Sequence, residues 1–205
     1  MKVTETALPG VLLLEPAVFG DERGYFLETW NAARYREAGV PGDFIQANHA
    51  HSRRGVLRGL HFQVGRPQAK LIWAISGEIL DVAVDLRRGS PSFGRWVGAT
   101  LSGENHRQLF VPAGFAHGYC ALSESVDVSY LCSDVYWPAG DRGVRWDDPA
   151  LGIAWPPGEK VLSAKDRALP LLADATDLPL YDPPPRGERA VLPLPDPLPG
   201  GERAG

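Results

Sequence analysis

The chain is poor in cysteine: its 205 residues carry only Cys120 and Cys132, with no C-x-x-C pair. That excludes a metal-finger ligand set and a disulfide framework, and two thiols read as small buried hydrophobes of a reducing compartment. A basic surplus is also missing. Twenty-one basic against 25 acidic residues leave a formal net charge of −4, without a Lys/Arg-rich run. This argues against a nucleic-acid protein held by phosphate attraction, although a few pocket arginines can hold a small phosphorylated ligand. Long apolar runs are absent. The longest near the N-terminus, 11–14, stops at Glu15-Pro16, too short for a signal-peptide core or a membrane span. The cytoplasm is the expected location, and no internal repeat is present.

What the chain has is apolar content, glycine and proline. Hydrophobic residues make 44% of it, enough for one domain with a core. Its 23 glycines and 19 prolines are too many for a helical bundle, and the apolar fraction is too high for disorder. Short apolar or alternating runs at 11–14, 25–30, 44–48, 56–63, 71–75, 79–86, 96–101, 108–111, 117–121 and 127–132 predict strands. Turn signals separate them, such as Gly20-Asp21, Gly42-Asp43, Ser76-Gly77 and Pro112-Ala113-Gly114. The expected fold is an all-β antiparallel sandwich or barrel. One short helix is predicted at 31–38, stopped by Gly39, and a single helical turn at 163–168. From Trp137 the chain turns loop-rich and is expected to wrap the barrel. Residues 1–181 form one domain in this reading, and 182–205, with seven prolines and four glycines, a flexible tail.

The densest polar cluster is Arg58-Gly59-Leu60-His61-Phe62-Gln63. On a strand, Arg58 and Leu60 take one face, His61 and Gln63 the other. His61 reads either as a general base titrating near working pH or as a satisfied core histidine. Lys70 reads as an oxyanion stabiliser or a strand-edge charge. His117 binds ligand or caps a loop, and Tyr130 is a pocket phenol or a core aromatic. Arg23 is a phosphate-binding arginine or a surface turn charge. Ser163-Ala164-Lys165-Asp166 has the look of a solvated polar turn. His49-Ala50-His51 suggests a metal pair, but the next residues are Ser52, Arg53 and Arg54, and no carboxylate follows before Glu78. A metal is not expected there.

Six blocks in order carry more information than any one of them. They are Gly20-Asp21-Glu22-Arg23-Gly24, Val56 to Gln63, Asp81 to Arg87, Gly114-Phe115-Ala116-His117-Gly118, Gly143 to Asp148 and Leu162 to Asp166. Together they resemble the dTDP-4-dehydrorhamnose 3,5-epimerase family over residues 3–175. The resemblance implies a cupin-type antiparallel β-barrel (jelly roll), an isomerase working as a homodimer, and no metal or organic cofactor. It implies a dTDP-linked 4-keto-6-deoxyhexose as substrate, inverted at C3 and C5. Carried over by position, His61 is the base, Asp166 its carboxylate partner, Lys70 the enolate stabiliser and Tyr130 the acid on the opposite sugar face. Arg23, Glu28, Gln46, Asn48, Arg58, His117 and Lys165 fall at nucleotide-sugar-binding positions, and Tyr136 where an aromatic stacks on thymine. Asp141 stands where the family commonly has Glu, one methylene longer, and takes over its binding role. Trp73 has no assigned role. The alternatives are an epimerase acting at C3 or C5 alone, a sugar-nucleotide-binding barrel without catalysis, and a metal-dependent cupin enzyme.

Overall fold

The structure, a computed structural model, describes residues 1–40 and 43–182. The expected tail from 183 onward lies outside these residues, as does Gly42 of one expected turn.

Thirteen strands are present among the described residues: β1 (Lys2–Glu5), β2 (Leu12–Glu15), β3 (Val18–Asp21), β4 (Gly24–Leu27), β5 (Gln46–Arg53), β6 (Leu57–Gln63), β7 (Lys70–Ser76), β8 (Glu78–Asp85), β9 (Trp96–Ser102), β10 (Gln108–Val111), β11 (Phe115–Ala121), β12 (Ser125–Cys132) and β13 (Asp141–Gly143). They form a six-stranded sheet in the order β1-β2-β10-β7-β12-β5, a five-stranded sheet β13-β6-β11-β8-β9, and the separate hairpin β3-β4. Every pairing between these strands is antiparallel. The all-β antiparallel expectation is borne out.

The main core lies between the two large sheets. Ile72, Ala74, Leu109, Val126 and Val128 from one meet Ile79, Ala83, Leu101, Tyr119 and Ala121 from the other. Alternation places these residues: each strand sends every second side chain inward. The same inward rows also carry polar side chains. Lys70 precedes Ile72 and Ala74, Asp81 lies between Ile79 and Ala83, His117 precedes Tyr119, and Tyr130 and Cys132 follow Val128. Lys70, Tyr130 and Cys132 thus end apolar rows of the larger sheet, whereas Asp81 and His117 interrupt such rows in the smaller one, His117 standing between Phe115 and Tyr119.

Two short helices complete the fold. The helix α1 (Ala32–Glu37) is capped by the Asn31 side chain, which accepts from the Arg34 amide at 3.2 Å, satisfying an amide of the first turn. The following Gly39 has φ +85°, the left-handed stop expected of glycine. Its buried Tyr35 packs with Leu14, Leu71 and Phe110 on the outer face of the larger sheet. Trp73 sits half-buried against this group, a packing position on the face away from the inward Lys70. After Trp137, Val144, Leu151, Trp155 and Leu172 cover the outer face of the smaller sheet, as the loop-rich wrap predicted. That segment includes α2 (Ala164–Arg167).

Three strands had no sequence signal. β1 and β3 are exposed at every position, so no buried face imposes a period. β13 is three residues long. Gly20-Asp21, expected as a turn, instead ends β3, and the hairpin turns at Glu22-Arg23.

Candidate active site

A two-lobed cleft opens among the polar side chains of the inward rows. One lobe, about 350 Å³, is lined by Gln46, Asn48, Gln63, Cys132, Tyr136 and Asp141 among others. The other, about 260 Å³, includes Arg58, His117, Tyr119, Ser163 and Asp166. His61, Lys70, Tyr130 and Lys165 line both, so they mark where the lobes meet.

His61 comes from β6 with its Nε2 2.5 Å from Asp166 Oδ1. Asp166 is 4% exposed, which corrects the solvated-turn reading for this one residue, while Ser163, Ala164 and Lys165 are exposed as expected. Ser163 caps α2 by accepting from the Asp166 amide at 3.0 Å, and its hydroxyl donates to Asp166 Oδ2 at 2.8 Å. The serine thus builds the one-turn helix and fixes the carboxylate together. Burial opposes ionisation of Asp166, but the hydrogen bond and charge of His61 outweigh it, with Ser163 assisting. The carboxyl is held below its ordinary range.

Arg58 corrects a second expectation. It lines the same lobe as His61, whereas uninterrupted alternation puts the two on opposite faces. His117 pairs with His61 and Tyr119 with Arg58, so β6 spends one residue more than β11 over this stretch. This bulge shifts the alternation by one. Close approach of Gly59 and Gly118 accompanies it: a Cβ on Gly59 would stand 2.6 Å from Gly118 Cα and 2.8 Å from the His117 carbonyl oxygen. Arg58 then donates to Ser52 Oγ at 3.2 Å and to the His51 carbonyl.

Lys70 and Tyr130 enter from the larger sheet, across the cleft from His61. Burial pulls the Lys70 ammonium below its ordinary pKa, against the charges of Cys132, Asp141 and Asp81. Burial pushes the Tyr130 phenol up, so it stays protonated at neutral pH. Asp141 lies at the rim, where it pairs with Lys165 and accepts from the Tyr136 hydroxyl at 2.9 Å. Burial works against its ionisation, but Lys165 and Tyr136 prevail and lower its pKa. Gln46 orders this rim as well: its Oε1 accepts from the Tyr136 amide at 2.8 Å, and its amide donates to Asn48 Oδ1 at 3.0 Å.

Eleven of the thirteen residues singled out therefore converge here; Arg23 and Glu28 do not. Arg23 is paired with Asp21 at the tip of the β3-β4 hairpin, and Glu28 with Arg34 at 3.1 Å. Sequence reasoning gave no site role to several cleft residues, nor to Asp81 behind His117. Gln63 is buried, accepting from the Trp137 amide at 2.8 Å and donating to the Val135 carbonyl. Cys132 is a buried free thiol on the cleft wall. Asp81 had a legible signal, an acid on the apolar inward row Ile79-Asp81-Ala83.

His49 and His51 lie on the outer face of β5, each 3.0 Å from Asp127 Oδ1. The carboxylate missing from the local sequence arrives from β12. Among the described residues, no group of three or more His, Cys, Asp or Glu is placed to hold a metal ion. No helix there is long and apolar enough to cross a membrane.

The profile of the family described as dTDP-4-dehydrorhamnose 3,5-epimerase matches residues 5–174. A Pseudomonas aeruginosa protein of that name is 52% identical over 181 residues, 87% of this chain and 100% of its own. A dTDP-4-dehydrorhamnose 3-epimerase of Streptomyces niveus is 41% identical over 186 residues, 88% of this chain and 90% of its own. Among solved structures, a dTDP-6-deoxy-D-glucose-3,5-epimerase of Legionella pneumophila, in complex with dTDP-4-keto-L-rhamnose, superposes with a TM-score of 0.87. It is 45% identical, covering 89% of this chain and 99% of that one.

Proposed function

The chain belongs to the dTDP-4-dehydrorhamnose 3,5-epimerase family, and from that premise we propose how its cleft inverts C3 and C5 of dTDP-4-dehydro-6-deoxy-D-glucose to give dTDP-4-dehydro-L-rhamnose. The observation that carries the reading is the His61–Asp166 pair facing Lys70 and Tyr130 across one cleft. Both carbons flank the C4 ketone, so loss of either proton gives an enolate whose charge falls on O4. His61 takes the proton. Asp166 holds its ring in one tautomer and stabilises the imidazolium, as a third group behind a base does. Lys70 offers a fixed positive group to O4, worth several kcal/mol in a dry site. Tyr130 returns a proton to the opposite face, which is what inversion requires. Removal and return of a proton changes no oxidation state, so the route calls for no redox partner.

Arg58, His117 and Lys165 supply positive or donor groups for the diphosphate, with Gln46, Asn48 and Asp141 at the polar rim and Tyr136 stacking on thymine. Tyr136 is 55% exposed, open to such a partner. Arg23 and Glu28 complete the site in a homodimer. The hairpin that carries Arg23 and leads into Glu28 pairs with no other strand among the described residues and exposes Phe19, Tyr25 and Phe26 by 65%, 58% and 69%. A second copy covering this apolar surface would receive Arg23 and Glu28 at its own cleft. The cytoplasm, where nucleotide sugars are made, is the proposed location.

Proton NMR of dTDP-4-dehydro-6-deoxy-D-glucose with the protein in deuterium oxide tests this. Exchange and inversion at both carbons are expected. Exchange and inversion at one carbon only would assign a single epimerase, and absence of exchange at both would remove the catalytic reading.

A further inference from the structure

Asp81 is fully buried behind His117, which lines the cleft. Its Oδ1 accepts from His117 Nε2 at 2.7 Å. Its Oδ2 is the one buried side-chain polar atom without a hydrogen-bond partner among the described residues. Leaving a carboxylate oxygen buried and unpaired is costly, and the neighbouring inward residues Ile79 and Ala83 show that an apolar side chain fits this row. Packing alone does not call for an acid here.

Its surroundings suggest what the acid is for. Asp81 pairs in register with Tyr119 on β11, two positions from His117, and its side chain enters the same interior as Lys70 of β7. The titratable and charged groups lining the cleft with Lys70 are Arg58 and His61 of β6, His117 and Tyr119 of β11, Tyr130 and Cys132 of β12, Tyr136, Asp141 of β13, and Lys165 and Asp166 of α2. Asp141 and Lys165 are paired to each other, and Asp166 gives one oxygen to His61 and the other to Ser163. Asp81, behind His117, is the buried carboxylate with an oxygen uncommitted.

We propose that Asp81 is a positioning residue for the epimerisation: it fixes His117 with Nε2–H toward β8 and Nδ1 free, and from behind His117 it supplies the negative charge that keeps the Lys70 ammonium protonated. The inference rests on the epimerase reading of this cleft. The desolvated state of Lys70 gives the counter-charge its purpose, because burial favours the neutral amine. Removing a nearby negative charge lowers a lysine pKa further, so an activity that needs the ammonium is lost at lower pH.

The test is Asp81→Asn, which preserves shape and removes the charge. At pH 8 its kcat is expected to fall at least tenfold, and the alkaline limb of its pH–kcat profile to move down by one unit or more. A structural role alone would lower the melting temperature and leave that limb in place. An unmoved limb, or one moved upward, overturns the proposal. The imidazole ¹⁵N shifts of His117 in the wild-type protein provide a second measurement that needs no variant. Protonated Nε2 with bare Nδ1 in the neutral ring is expected, and the reverse tautomer overturns the proposal. If wild-type protein fails to exchange substrate protons, the epimerase reading falls instead.

Discussion

Arg58 and His61 stand three residues apart on one strand and line the same lobe of the cleft, because β6 bulges where Gly59 crosses Gly118. The proposed base and an arginine proposed for the diphosphate thus share a face that regular alternation denies them.

Gly59→Ala is expected to cost about 3 kcal/mol or more, since its Cβ meets backbone and the residue holds φ +123°. Gly24 has a similar φ of +127° with nothing within 4 Å of a Cβ, so Gly24→Ala should lose only about 1–2 kcal/mol. Urea unfolding of the two variants measures the difference. Equal losses would mean that backbone conformation, not the crossing, sets the requirement.

His61→Asn should abolish deuterium exchange at both carbons while dTDP still binds. Asp166→Asn should retain some exchange yet lose well over tenfold in kcat, by analogy with a triad carboxylate. The motivating contact is the 2.5 Å approach of Asp166 to His61. Unchanged turnover in the Asp166 variant would dismiss the pair as a catalytic unit.

Tyr130→Phe keeps the ring and deletes the hydroxyl, so packing changes little. Exchange should continue at one or both carbons while inversion falls, most clearly at C5. The ratio of inversion to exchange is the readout, and a wild-type ratio would return Tyr130 to a packing role.

A mixed dimer tests the proposed exchange of hairpins. Arg23→Ala and His61→Asn homodimers should both be impaired. In a mixture that re-forms hybrids, one intact cleft appears per hybrid if Arg23 acts on the other copy, and activity rises above either parent. No recovery in verified hybrids would place Arg23 elsewhere.

Acid stability should report on Asp85, which is fully buried. Burial disfavours its ionised form, but Arg87 at 2.8 Å, Ser90 and Ser92 prevail and hold its pKa at about 2, against 3.8 for the free side chain. A pKa lowered by folding stabilises above the unfolded value and loses that contribution as pH falls through the folded one. The window is therefore about pH 4 down to about 2, and the contribution above it is about 2 kcal/mol. Asp85→Asn should lower the urea midpoint at pH 7 and flatten the loss between pH 4 and 2. An equally steep acid loss in the variant would assign the effect to other carboxylates.

The strands that bury a face were legible because burial imposes a period of two: β10 matches its predicted bounds, and β6 to β9 match theirs within two residues. β1 and β3 carry no buried face and left no such mark. Within the site, the ordered blocks located His61, Lys70, Tyr130 and Asp166. Alternation misjudged Arg58, because a bulge is a relation between two strands and is invisible in either alone. Asp127 beside His49 and His51 was missed for the same reason, since the nearest carboxylate in space is 76 residues from His51.

Asp166 lies 105 residues beyond His61, on a turn reached only after both large sheets are complete. A nascent chain released before Ser163 would have its sheet strands, Lys70 and Tyr130, but a histidine with no carboxylate behind it. In the proposed mechanism the carboxylate behind the base and Lys165 are therefore the last parts of the cleft to be synthesised. Proteolysis that trims the chain back past α2 would run this order in reverse, removing both from a cleft whose strands remain.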